Sequence, residues 1–142
     1  MQVSGRCFCG AVEYEAEIDP ADVAICHCTD CQALSGSAFR TVVFAPEHRF
    51  KLLKGKLTVF VKTADSGNKR EQTFCPVCGS PIYARAAGRT MATAQPPPGV
   101  AAPMLGIRVG TLCQRDALVP RVQYYCRSAQ RWALAIAVAE SK

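Results

Sequence analysis

Val12-Glu13-Tyr14-Glu15-Ala16-Glu17-Ile18 alternates between apolar and acidic side chains at every step. Period two over such a run is the pattern of a half-buried strand, one face in a core and a row of glutamates in water. Asp19-Pro20 ends it. Further short β-branched runs follow at Val23-Ala24-Ile25, Thr41-Val42-Val43-Phe44, Phe50 to Leu53, Leu57 to Val61, Glu71 to Phe74, Leu105 to Val109 and Arg121 to Tyr125. Lys54-Gly55-Lys56 reads as a hairpin turn between two of them, and Lys62 to Arg70 as a loop. No long amphipathic helix is visible; Trp132 to Ala139 reads as a short one. The fold class is therefore mainly β, many short strands in one domain.

The chain has 142 residues, the size of one ordinary domain, so residues 1–142 are read as a single unit. Apolar residues make up 49% and charged residues 20%, which is globular rather than disordered composition. No apolar run approaches the roughly 18 residues of a transmembrane helix. The start, Met1 to Arg6, is polar and carries no signal-peptide core, which points to the cytoplasm. Residues 85–104 differ from the rest: Gly88, Pro96-Pro97-Pro98-Gly99 and Pro103 stand among alanines, giving a long Pro/Ala-rich loop.

Nine cysteines are the outlying number. In a reduced compartment dense thiols are metal ligands first and disulfides last, and an odd count excludes complete internal pairing. They fall into Cys7-x-Cys9-Gly10, Cys26-His27-Cys28-x-x-Cys31 and Cys75-x-x-Cys78-Gly79, with Cys113 and Cys126 alone. A C-x-x-C followed by glycine is a zinc knuckle, and C-x-C puts two thiols on one face of an extended segment. Cys7, Cys9, Cys75 and Cys78 together make a complete four-thiolate zinc site.

Cys26, Cys28 and Cys31 offer three ligands, the number that leaves one position of a catalytic zinc open. His27, His48, Cys113 or Cys126 would close it. A thioredoxin-type reading of Cys75-Pro76-Val77-Cys78 lacks the helix that should follow. Cys113 and Cys126 read as buried small hydrophobes, and Gly110-Thr111-Leu112 as a continuation of the preceding strand.

The net charge is +6, made of −5 over residues 1–31 and +11 beyond. Seven cysteines bound as thiolates to two zinc ions would lower it to about +3, which argues against a nucleic-acid footprint.

Cys7-Phe8-Cys9-Gly10, Cys26-His27-Cys28-Thr29-Asp30-Cys31-Gln32 with Gly36-Ser37-Ala38-Phe39, and Phe74-Cys75-Pro76-Val77-Cys78-Gly79-Ser80-Pro81-Ile82-Tyr83 resemble the glutathione-dependent formaldehyde-activating family, which also includes centromere protein V. Gly110-Thr111-Leu112, Leu118-Val119-Pro120 and Trp132 extend the resemblance over nearly the whole chain. It implies a β-tent of small antiparallel sheets pinned by zinc. It also implies two zinc ions per chain, one on Cys7, Cys9, Cys75 and Cys78 and one on Cys26, Cys28 and Cys31. Cys113 and Gln114 stand where the family usually has an acidic residue after Gly-Thr-Leu.

The implied activity is that of a carbon–sulfur lyase or synthase, condensing glutathione or a related thiol with formaldehyde or another small electrophile. Its partners would be a small thiol and an aldehyde. Glutathione is an anion, so Arg40, Arg49, Lys51 and Lys54, just downstream of the ligand run, are the candidates for its carboxylates. His27 or His48 could shuttle a proton. The competing class is a non-catalytic zinc-binding module that meets a protein or other partner through its basic face.

Overall fold

The structure, a computed structural model, describes residues 1–135 and the backbone of residues 140 and 141. The strands are β1 (Gln2–Arg6), β2 (Glu13–Glu17), β3 (Val23–Cys26), β4 (Arg40–Pro46), β5 (Phe50–Lys54), β6 (Thr58–Thr63), β7 (Lys69–Phe74), β8 (Pro81–Ala86), β9 (Met104–Arg108), β10 (Val122–Tyr124) and β11 (Glu140–Ser141). A single α-helix, α1 (Thr29–Ser35), lies between β3 and β4. The protein is mainly β, as the sequence predicts, with one helix.

Two sheets form. The first is antiparallel in the order β1-β2-β5, and the second runs β11-β10-β3-β4-β9-β8-β7-β6. The second has eight strands and is mixed, because β10 pairs parallel to both β3 and β11.

The alternation of 12–18 is realised in β2. Tyr14 and Ala16 are fully buried, while Glu13, Glu15 and Glu17 face outward. The buried face joins Val43, Ala45, Ile82, Leu105, Ile107 and Leu112 in one core between the sheets. Tyr14 stacks on Phe50 at 5.1 Å and Phe50 meets the edge of Tyr83 at 5.0 Å, so aromatic contacts tie both sheets together. Burial pushes the Tyr14 hydroxyl up to about 12, and its partner is Thr111 Oγ1 at 2.6 Å.

The glutamate face is not simply wet. Lys54 reaches Glu13 at 3.2 Å, Lys51 reaches Glu15 at 3.6 Å and Arg49 pairs with Glu17. The ladder lies along the antiparallel backbone pairing of β5 with β2, and the expected hairpin between β5 and β6 does not form. Lys54-Gly55-Lys56 instead carries the chain from one sheet to the other, where β6 pairs with β7. The hairpin that exists is β6–β7, and the loop read at 62–70 shortens accordingly.

The Pro/Ala-rich segment connects β8 to β9 over residues 87–103, with Arg85, Ala86 and Met104 belonging to strands. Fully buried Glu47 anchors it. Arg89 donates to both carboxylate oxygens at 2.7 and 2.5 Å, and the Ala92 N–H donates at 2.9 Å. Gly110-Thr111-Leu112 does not continue β9: residues Val109–Thr111 form a 3-10 turn. Of the segment read as a short helix, Arg131–Ala135 includes a 3-10 turn, and residues 136–139 lie outside the described ones.

Candidate metal centres and their cleft

Both cysteine groups assemble as the spacing predicts. The sulfurs of Cys7, Cys9, Cys75 and Cys78 lie within 4.8 Å of one another, and those of Cys26, Cys28 and Cys31 do the same. A tetrahedral zinc with Zn–S of about 2.3 Å needs sulfur–sulfur edges of about 3.8 Å. The separations include 3.5 Å for Cys7–Cys9, 3.9 Å for Cys9–Cys75 and 3.4 Å for Cys26–Cys28, so both sets fit such an ion.

In the four-sulfur group two tight turns face each other. The Gly10 N–H bonds the Cys7 carbonyl and the Gly79 N–H bonds the Cys75 carbonyl. Each glycine has φ of 75°, the left-handed conformation that closes a knuckle without a Cβ penalty. The turns also aim donors at sulfur. Hydrogen bonds from the Ser80 hydroxyl and backbone N–H bring the Cys78 thiol down to about 5. Burial of Cys7 is outweighed by the Val12 N–H at 3.2 Å and by neighbouring thiols, which leaves it below the ordinary thiol range. The Ala11 N–H alone would lower Cys9, yet burial and the other three sulfurs push it up to about 11. Four mutually repelling sulfurs are what one bound cation neutralises.

In the three-sulfur group Cys26 ends β3 and Cys28 caps α1, its sulfur accepting the Cys31 N–H at 3.3 Å. Cys31 comes from the first turn of that helix, an element the sequence reading did not contain. Gln32 holds the turn, donating to the His27 carbonyl at 2.8 Å and the Ser128 carbonyl at 2.9 Å. The Cys26 thiol is the largest influence bringing Cys31 down to about 6, with Arg40 and Arg108 adding positive potential against the effect of burial. Cys26 is pushed up in return by Cys31 and by burial.

None of the proposed fourth ligands belongs to this group among the described residues. His27 is fully buried, its Nε2 at 2.6 Å from Gln123 Oε1 and its ring 5.7 Å from Phe39. It is a core histidine. His48 sits in the turn beside Glu47. Cys113 is exposed rather than packed, and lines a depression with Arg6, Cys7 and Phe8 beside the four-sulfur group. Cys126 is half-buried, its thiol 3.8 Å from the Gln123 carbonyl.

Cys26 and Cys31 line a cleft of about 350 Å³. Arg40, Lys62, Arg70 and Arg108 line it too, with no acidic lining side chain among the described residues, over an apolar surface that includes Val42 and Phe44. Lys62 pairs with Asp30 of α1. Burial and the Arg40 charge push Arg108 down to about 9, still cationic at neutral pH. Tyr124 and Tyr125 complete the lining. Tyr125 adopts φ 59° and ψ 43°, the one non-glycine residue with positive φ among the described residues.

Of the four cations singled out in the sequence, Arg40 alone is at this cleft. Arg49, Lys51 and Lys54 lie on the ladder against Glu17, Glu15 and Glu13. Lys62, Arg70 and Arg108 were missed. Arg108 carries a usable signal, an arginine inside the otherwise apolar run Leu105 to Val109, whereas Lys62 and Arg70 bound a stretch with loop composition.

The fold and the two sulfur clusters define a mainly β protein with a four-sulfur and a three-sulfur group, each of which could hold a metal ion. A family model described as glutathione-dependent formaldehyde-activating enzyme matches residues 2–128, and the chain belongs to that family. A crystal structure of a Rhodobacter sphaeroides protein is similar in fold, with a TM-score of 0.57 at 20% identity, covering 98% of this chain and 99% of that one. No curated protein matches the chain. No helix among the described residues is long and apolar enough to cross a membrane.

Proposed function

We propose that the protein is a zinc-dependent carbon–sulfur lyase or synthase of the cytoplasm that condenses glutathione, or a related thiol, with formaldehyde or another small electrophile. The observation that carries this reading is the three-sulfur group at a cleft lined by Arg40, Lys62, Arg70 and Arg108, with a separate four-sulfur group that already has a full tetrahedral set. Cys7, Cys9, Cys75 and Cys78 would hold a structural zinc, and Cys26, Cys28 and Cys31 a second one. Zinc at the second site supplies Lewis acidity and lowers the pKa of a thiol bound to it.

The chain's own residues do the rest. Glutathione carries two carboxylates and one ammonium group; Arg70 meets a carboxylate, with Arg40 and Arg108 deepening the positive potential, while Lys62 is held by Asp30. Val42 and Phe44 give the thiol's apolar atoms a dry surface. In the reaction the sulfur–carbon bond forms, the carbonyl π bond breaks, and the proton lost by the thiol ends on the new hydroxyl.

The module reading is disfavoured because the bases at 49, 51 and 54 are paired with glutamates on β2, while Arg40, Lys62, Arg70 and Arg108 gather in a concave site. To test the proposal, zinc-loaded protein is mixed with glutathione and a panel of small aldehydes. We expect aldehyde loss above the uncatalysed rate, dependent on both thiol and protein. No acceleration with any aldehyde rejects the enzyme reading.

A further inference from the structure

A second chamber, of about 340 Å³, lies on the other side of the cleft wall. The two cavities share Leu34, Arg40, Gln72 and Arg108. Beyond that wall the chamber is apolar, bounded by Phe60, Phe74 and Tyr83. A one-carbon electrophile needs no such volume, and under the proposed function glutathione takes the cleft with the triad cysteines.

The wall itself is charged and incompletely matched. Arg40 and Arg108 are 6% and 9% exposed. Both donate to one neutral acceptor, Gln72 Oε1, at 3.2 and 2.9 Å. Among the described residues neither forms a salt bridge, and Arg108 Nε is buried with no hydrogen-bond partner. The sulfurs of Cys26 and Cys31 act on this pair from the cleft side; the chamber side has no acidic lining residue among the described ones, and a buried guanidinium facing it is costly unless an anion completes it. The planar fork of arginine suits a carboxylate, which can accept two parallel N–H donors.

We propose that this chamber is a binding site for a carboxylate anion with an apolar body, aryl or short alkyl. Its carboxylate lies against Arg40 and Arg108, and its body between Leu34, Phe60, Phe74 and Tyr83. Phe60, on edge strand β6 and 54% exposed, stands at the opening.

The test is calorimetric titration of the full, zinc-loaded chain with sodium phenylacetate and, separately, phenylacetamide. The two have nearly the same shape and differ in the charge. We expect saturable binding of one phenylacetate per chain, with the amide at least about tenfold weaker, the factor that corresponds to about 1.4 kcal/mol. Arg108→Met should abolish the preference for the anion. Because a buried arginine can matter for folding, Phe60→Ala and Phe60→Glu at the exposed opening give independent checks. The first should weaken phenylacetate about threefold or more through the lost ring contact. The second should weaken it further by placing a like charge at the opening.

Absence of saturable phenylacetate binding, equal binding of the amide, or wild-type affinity in both Phe60 variants overturns the proposal. Binding is read without turnover, so the result stands apart from whether the thiol–aldehyde chemistry occurs.

Discussion

Glu47→Gln should unlatch the long 87–103 connection from the body of the protein. The carboxylate is fully buried and takes two N–H donors from Arg89 and one from Ala92, with Arg85 Nη1 3.8 Å away. Hydrogen bonds to charged groups contribute about 1.5–3 kcal/mol each. The Arg89 side chain is 35% exposed, so its share is screened and must be discounted. Glutamine keeps one acceptor but turns an NH₂ group toward the guanidinium. A net loss of about 3 kcal/mol follows, a fall in Tm of about 6–12 °C at about 2–4 °C per kcal/mol.

The effect has a pH signature. Burial alone would raise the Glu47 carboxyl, but Arg89, the Ala92 N–H and Arg85 outweigh it and hold it below the usual range. A depressed folded pKa gives stability that is complete above the unfolded value of about 4.3 and is lost as pH falls through the folded one. The Tm gap between wild type and Glu47→Gln should therefore be constant from about pH 8 to 5 and close below about 4. Circular dichroism melts give the gap, and trypsin cleavage after Arg89 should quicken in the variant. A Tm within about 2 °C of wild type at pH 7, with unchanged cleavage, refutes the latch.

Three further outcomes are expected. Cys75→Ser should abolish zinc binding by the four-sulfur group and with it cooperative folding, since binding energy at a structural metal site is folding energy; a soluble variant with an unchanged melt contradicts this. Cys31→Ser should retain the fold and carry one zinc by native mass spectrometry against two for wild type, and equal counts would dissociate the triad from metal binding. Tyr125→Asn should raise Tm by about 2–4 °C, because a strained left-handed residue costs about 1 kcal/mol or more and asparagine tolerates that conformation; a lower Tm shows that the ring's contacts outweigh the strain.

Much of this arrangement is legible in the sequence because it is local. Alternation over 12–18 identifies β2, and C-x-C and C-x-x-C spacings mark pairs of thiols that can share one metal; the joining of Cys7 and Cys9 to Cys75 and Cys78 follows from ligand counting rather than from local sequence. Long-range pairing is not legible in the same way. Lys54-Gly55-Lys56 has the composition of a hairpin turn, yet the charge ladder to β2 and the pairing of β6 with β7 send its flanking strands into different sheets. Helix α1 is short and begins inside a cysteine motif, where thiols mask the helical signal; its cap is a cysteine sulfur. Arg49, Lys51 and Lys54 looked like substrate contacts by proximity in sequence, but their glutamate partners lie on β2, distant along the chain. The cleft cations come from β4, β6, β7 and β9, a convergence that sheet order alone creates.

The central claim is that the triad at the cationic cleft promotes addition of a thiol to formaldehyde. Two-dimensional exchange NMR on an equilibrated mixture of glutathione and formaldehyde measures it directly, as the interconversion rate of free glutathione and S-(hydroxymethyl)glutathione. Zinc-loaded protein should raise that rate in proportion to its concentration, and folded Cys31→Ser should leave it at the uncatalysed value. An exchange rate indifferent to wild-type protein, or accelerated equally by Cys31→Ser, would contradict the account.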